Sequence, residues 1–247
     1  MSSSSLDDLC ERGSELLIAM DYLGAENALV QAEKLALADE DWDALSRLYM
    51  PLQEARRQQR QRCGEGIVCL DLCAASAADY VEPRHVLEHY PHGQLLVAGW
   101  QSIDPAVKLR EMAREKALYV ETFLGAVYSV EGKRLIVIAP FEDSRLPGTC
   151  QTLAELKTRC PAGCICVDES ELPQGPRRGT FETYAQVMAL WERLATPFLA
   201  ATDAEIDPRK RIDGYRTTIR VDHACELAHQ RLSDAAKLLM RKPTGKP

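Results

Sequence analysis

The sequence predicts an α/β protein: a small, mixed, mostly parallel sheet with covering helices, flanked by a helical layer from the N- and C-terminal segments. Three observations carry that expectation. Apolar residues recur at a helical period through residues 6–52, short apolar runs alternate with helical stretches between 63 and 170, and the segment 171–247 is helical again. The expected organisation is 1–62 as N-terminal helices, 63–170 as the α/β core, and 171–247 as long helices packing with the N-terminal ones in one integrated unit.

In the first segment Leu6, Leu9, Cys10, Leu16, Leu17 and Met20 share one face at a 3.6-residue period, with Gly13 on the same stripe. Gly24 marks a break, and Ala25, Ala28, Leu29, Ala32, Leu35 and Ala36 form a second stripe whose small residues admit a close neighbour. A third helix starts near Asp41 with Trp42, Leu45, Leu48, Tyr49 and Leu52. Pro51 should kink or restart it, because proline has no N–H for the carbonyl four residues back.

Ala25, Leu29 and Ala32 match the A-x3-F-x2-A spacing of a tetratricopeptide repeat's second helix, with leucine in the aromatic place. Trp42, Leu45, Ser46 and Tyr49 match the W-x2-L-G-x2-Y opening of the next repeat, with serine for glycine. Over residues 6–50 the chain therefore resembles tetratricopeptide-type helical repeats. It departs from them in lacking the inter-helix proline and in never completing the second repeat. The resemblance implies protein binding.

The middle segment reads as alternating strands and helices. IVCLDLCA follows Gly64 and Gly66 as a buried strand, EPRHVLEHY is a helix with Pro83 in its first turn, and QLLVAGW is a second strand. Asp104 and Pro105 open the helix DPAVKLREMAREK. LYVETFLGAVYSV and RLIVIAP form a hairpin about Glu131-Gly132-Lys133, TLAELKTR is a short helix, and CICVDE is the final strand. Beyond it, TFETYAQVMALWERLATPFLAA is one long helix bent near Pro197. Another starts at Asp207-Pro208 and runs towards Met240, interrupted at Gly214, with Ile212, Tyr215, Ile219, Ala224, Leu227, Ala228 and Leu232 as its apolar face.

Bulk properties narrow the function. A net charge of −7 argues against a general nucleic-acid binder, and no apolar run approaches a membrane span of about 18 residues. The start, MSSSSLDDLCER, has neither a basic nor an apolar signal region, so the nine cysteines read as reduced thiols of a cytoplasmic protein. No phosphate-cradling glycine loop follows a strand, and no G-x-S-x-G nucleophile elbow occurs.

Four stretches remain as candidate sites. Cys150, Cys160, Cys164 and Cys166 are numerous enough for zinc but contain no C-x2-C, so they are expected to be core residues. His85 and His89 share a helix face, and HVLEH fits the H-x-x-E-H pattern of inverzincin peptidases, but no third ligand is evident. No metal and no cofactor are expected. Arg56, Arg57, Arg60 and Arg62 form a basic cluster after 54 residues that hold 12 acidic and three basic side chains; it could grip RNA or an acidic partner, or be simply solvated. Arg177, Arg178, Gly179 and Thr180 precede a helix, where free N–H groups and two guanidiniums together would suit an anion.

Two functions are carried forward. One is a cytoplasmic interaction or adaptor protein whose repeat-like helical layer holds a protein partner. The alternative is an enzyme or small-molecule binder, using a phosphate-bearing ligand at the carboxyl edge of the sheet beside Arg178.

Overall fold

The computed structural model describes residues 5–240. Helices α1 (Leu6–Ile18), α2 (Tyr22–Ala38) and α3 (Trp42–Glu65) lead into β1 (Ile67–Cys73), α4 (Pro83–His89), β2 (Gly93–Trp100), α5 (Asp104–Glu115), β3 (Val120–Val130) and β4 (Lys133–Ala139). Then come α6 (Leu153–Arg159), β5 (Ile165–Asp168), a 3-10 turn at Glu169–Glu171, β6 (Arg177–Arg178), α7 (Phe181–Asp203), α8 (Pro208–Val221) and α9 (Glu226–Met240). The α/β expectation holds. By its internal contacts the chain divides into two units, one formed by residues 1–59 with 195–247, the other by 60–194.

In the α/β unit the six strands lie in the order β5-β4-β3-β2-β1-β6. The central β1, β2 and β3 run parallel, and β4, β5 and β6 are antiparallel to their neighbours. The β3–β4 hairpin turns on Glu131 and Gly132, both at positive φ (53° and 76°), as a two-residue turn matched to strand twist requires. Alternation gives the sheet two apolar faces. Leu95, Val97, Leu124, Ala126, Tyr128 and Val137 pack with Leu87 of α4, Leu109 of α5 and Leu156 of α6. Leu96, Phe123 and Ile136 point the other way, and Phe123 stacks on Trp191 of α7 with centroids 4.2 Å apart. Residues 171–194 thus belong with the sheet, because its second face needs a helix to cover it; the sequence had grouped them with the terminal helices.

In the helical unit Leu29, Leu45, Tyr49 and Leu52 share a core with Ile212, Tyr215 and Leu232. Gly13 is required where α1 meets α2, since a Cβ there would lie 2.6 Å from Leu29 Cγ. Polar links join the two chain segments. Tyr49 donates to Glu33 at 2.6 Å, Arg216 donates to the same carboxylate at 3.3 Å, and Ser233 donates to the Ser46 carbonyl at 2.7 Å. Arg209 makes a two-pronged pair with Glu40, at 2.6 and 2.7 Å, and lies 5.1 Å above the Trp42 ring.

Three local expectations are corrected. Helix α3 runs through Pro51 without restarting, and α7 is one helix across Pro197, as expected. The carbonyls that lose their partners belong to Arg47 and Arg193, both exposed, so water can satisfy them. The last helix breaks at Asp222–Cys225 rather than at Gly214, which packs within α8 against Thr202. The Asp222 side chain accepts from the Ala224 N–H, a local bond that competes with the helix ladder. Leu227, expected on the apolar face, is exposed.

Candidate functional site

The loop expected to hold an anion is a short strand instead. Arg177 pairs with Val68 and Arg178 with Ile67, and the Gly179 N–H donates to the Gly66 carbonyl at 2.8 Å. Gly179 has to be glycine, because a Cβ there would run into the Gly64 carbonyl oxygen. Successive strand residues face opposite ways. Arg177 shares a row with Val68, Gln94 and Glu121 on the α7 face, whereas Arg178 lies in the row of Ile67, Gly93 and Val120. The two guanidiniums therefore diverge. Both arginines are exposed, with no ion-pair partner among the described residues. Thr180 does cap α7: its hydroxyl accepts from the Thr183 N–H at 3.3 Å.

The position is corrected too. Ile67 opens β1, so the Arg177–Thr180 segment lies at the amino end of the parallel strands, opposite the carboxyl edge where ligands of open α/β sheets bind. At that carboxyl edge Arg134 occupies the space. Its guanidinium donates to the carbonyls of Ala74 (3.0 Å) and Ala75 (2.8 Å), and pairs with Glu169 at 2.5 Å. Four of its five N–H groups are thereby taken by protein groups.

The arginine cluster is not a binding patch either. Arg56 is buried and pairs with Glu26 at 2.7 Å; Arg60 is 2% exposed and grips Glu121 at 3.1 Å. Arg57 and Arg62 pair along the helix with Glu54 and Glu65. The Arg60 guanidinium also lies 4.8 Å above the Trp191 ring, and Gln94 donates to the other side of Glu121. Sequence reasoning missed this buried ion pair. Its signal was the polar second residue in both β2 and β3, Gln94 and Glu121, within otherwise apolar strands.

The histidines are scattered. His85 and His89 lie with ring centroids 4.1 Å apart, tilted by 57°, on the exposed face of α4, but Nδ1 of His89 bonds the His85 carbonyl, and His92 bonds the Arg62 carbonyl. Among the described residues no group of three or more His, Cys, Asp or Glu side chains is arranged to hold a metal ion. All nine cysteines are free thiols. Burial raises the thiols of Cys69 and Cys73 to about 12, with the nearby Asp71 and Glu169 carboxylates adding to it, so both stay protonated and unreactive.

What remains open is a helix face. Asp8, Glu11, Arg12, Glu15, Leu16 and Ala19 line a shallow groove along α1, with Ile18 (84% exposed) and Met20 (63%) at its end. Asp8 also completes a capping box with Ser5, which holds its carboxyl below the usual range.

No family model matches the chain, and no curated protein or solved structure does. No helix among the described residues is long and apolar enough to cross a membrane.

Proposed function

We propose that the chain is a cytoplasmic interaction protein whose repeat-like helical unit docks a basic, amphipathic segment of a partner protein. The observation that carries this reading is the distribution of uncovered apolar side chains. Among the described residues ten large apolar side chains are exposed, and eight of them belong to the helical unit, among them Ile18, Met20, Leu35 and Met50. Single exposed apolar residues are ordinary on any protein; Ile18 and Met20, which adjoin the acidic face of α1 in sequence, are the two that would make a contact surface with it. The groove's Asp8, Glu11 and Glu15 select the charge of the partner, and Ile18 and Met20 supply apolar anchors. The tetratricopeptide-like spacing of Ala25, Leu29, Ala32, Trp42 and Tyr49 supports the same use, and the free thiols suit a reducing compartment. The phosphate-ligand alternative has lost its geometric support, because Arg177 and Arg178 face apart.

The test is fluorescence anisotropy with labelled basic amphipathic peptides and an acidic control of equal length. The expected result is saturable binding of the basic peptide, weakened by salt and abolished in Glu11→Lys/Glu15→Lys/Ile18→Asp. Equal binding by the triple variant, or none by the parent, overturns the reading.

A further inference from the structure

Helix α4 turns a pair of imidazoles to solvent. It is seven residues long, and Pro83, Val86 and Leu87 on its other side are buried, the last two in the core beside the sheet. Glu82 caps its start by accepting from the Arg84 N–H at 3.4 Å, and the Tyr90 N–H closes its end on the Val86 carbonyl at 2.8 Å. The backbone is thereby held at both ends and along one face. His85 and His89, four positions apart and both exposed, meet with ring centroids 4.1 Å apart.

The fold decides the tautomer of one ring. A carbonyl oxygen can only accept, so Nδ1 of His89, 2.9 Å from the His85 carbonyl, carries the proton. Nε2 on the other side of that ring therefore keeps its lone pair. Metal-binding histidines are arranged in the same way: one nitrogen donates to a backbone carbonyl, which orients the ring and makes the other nitrogen a better ligand. The His85 ring makes no hydrogen bond among the described residues, so it can turn to present a nitrogen beside Nε2 of His89. Two imidazoles that share one ion, each at about 2.0–2.1 Å and at roughly right angles, stand with centroids about 4.5–5 Å apart. An opening of about half an ångström converts the observed pair into that chelate. Of the other histidines, His92 is engaged by the Arg62 carbonyl and His229 is buried.

We infer that His85 and His89 form an open, two-point site for a borderline divalent cation, of the class of Ni2+, Cu2+ and Zn2+. Imidazole nitrogen suits these ions, whereas Mg2+ and Ca2+ take oxygen ligands. The site is open because no third His, Cys, Asp or Glu side chain among the described residues is placed to join the pair. Water fills the remaining positions, so the bound ion keeps places for an outside ligand. Two nitrogens on a fixed helix bind more tightly than one, since the second contact is intramolecular. The ion also ties two successive turns of α4 together, because it recognises the histidines only as helical neighbours.

The experiment titrates Ni2+ into the untagged full chain by calorimetry, with the accessible thiols alkylated beforehand. Ni2+ is the probe because Cu2+ would oxidise the free thiols, and alkylation removes them as competing ligands. The expected result is one ion per chain, no binding of Mg2+, and a site weakened about a hundredfold in His85→Gln and in His89→Gln. His92→Gln should bind as the parent does. A readout on the parent alone needs no variant to fold: Ni2+ should protect His85 and His89 together from carbethoxylation, mapped by mass spectrometry. No saturable Ni2+ binding by the parent, a site that survives either substitution, or protection of neither histidine overturns the inference.

Discussion

Arg56 donates to Nε2 of His229 across 3.1 Å, although 173 positions separate them in the chain. The other ring nitrogen of His229 donates to the Cys225 carbonyl at 2.8 Å, so the buried imidazole is held neutral in one tautomer. Burial, and then the Arg56 charge, depress its pKa to about 3.

This depression makes the protein acid-sensitive in a defined window. An unfolded histidine gains its proton near pH 6.5, whereas folded His229 resists until about pH 3. The unfolded state binds more protons between those values, so stability is full above pH 6.5 and falls as pH falls. The loss is about 1.4 kcal/mol per pH unit once below 6.5. Urea unfolding at pH 7.5 and 5.5 should show a drop of about 1.4 kcal/mol in the parent and a clearly smaller one in His229→Gln.

The Arg60–Glu121 pair should be costly to break on one side. Arg60→Met leaves the Glu121 carboxylate buried beside Gln94 without its cation, a loss of about 3–5 kcal/mol. Arg60→Met/Glu121→Gln should recover a large part of it, because both charges are then gone. Equal stability of the single and double variants by urea unfolding would show that the ion pair is not the reason Arg60 is buried.

Trp42→Ala is expected to cost about 2 kcal/mol, not the 3–5 of a fully buried indole. Trp42 is half-buried, capped on its open side by Arg209. Arg209→Ala in the Trp42→Ala background should add less than it does alone, since both changes remove one contact; a double-mutant cycle reads this directly.

Phosphate, sulfate and nucleotides should leave the melting temperature unchanged in both the parent and Arg178→Ala. Guanidiniums on opposite sides of a strand cannot share one anion, and a ligand that does not bind cannot stabilise by mass action. A concentration-dependent rise in the parent that Arg178→Ala abolishes would restore the anion site.

The parts of this fold that were legible in the sequence are those where one local rule decides. The hairpin turn could be read because Gly132 favours that backbone, and most of the α1 and α2 stripes because of their period, although Met20 and Leu35, expected on those stripes, are exposed. The strand β6 could not: two residues carry no period, and Pro176 before them reads as a loop. Its pairing with β1 is a tertiary fact, and with it went the expected proximity of Arg177 to Arg178. Arg56 and Arg60 misled for a related reason. A run of arginines reads as surface unless one knows that Glu26 and Glu121, far off in sequence, face them.

The helical unit draws on residues 1–59 and 195–247, whereas the α/β unit is one continuous stretch. On a ribosome this sets a waiting time. The partners of Leu29, Leu45 and Tyr49 are Ile212, Tyr215 and Leu232, and they emerge only after the whole stretch from Arg60 to Leu194 has been made. At about 5–20 residues per second that interval is on the order of ten seconds. Through it the early helices carry an uncovered apolar stripe while the sheet already has its own strands in hand. Nascent chains of this protein should therefore recruit chaperones early and release them only once Ile212, Tyr215 and Leu232 have emerged to cover that stripe.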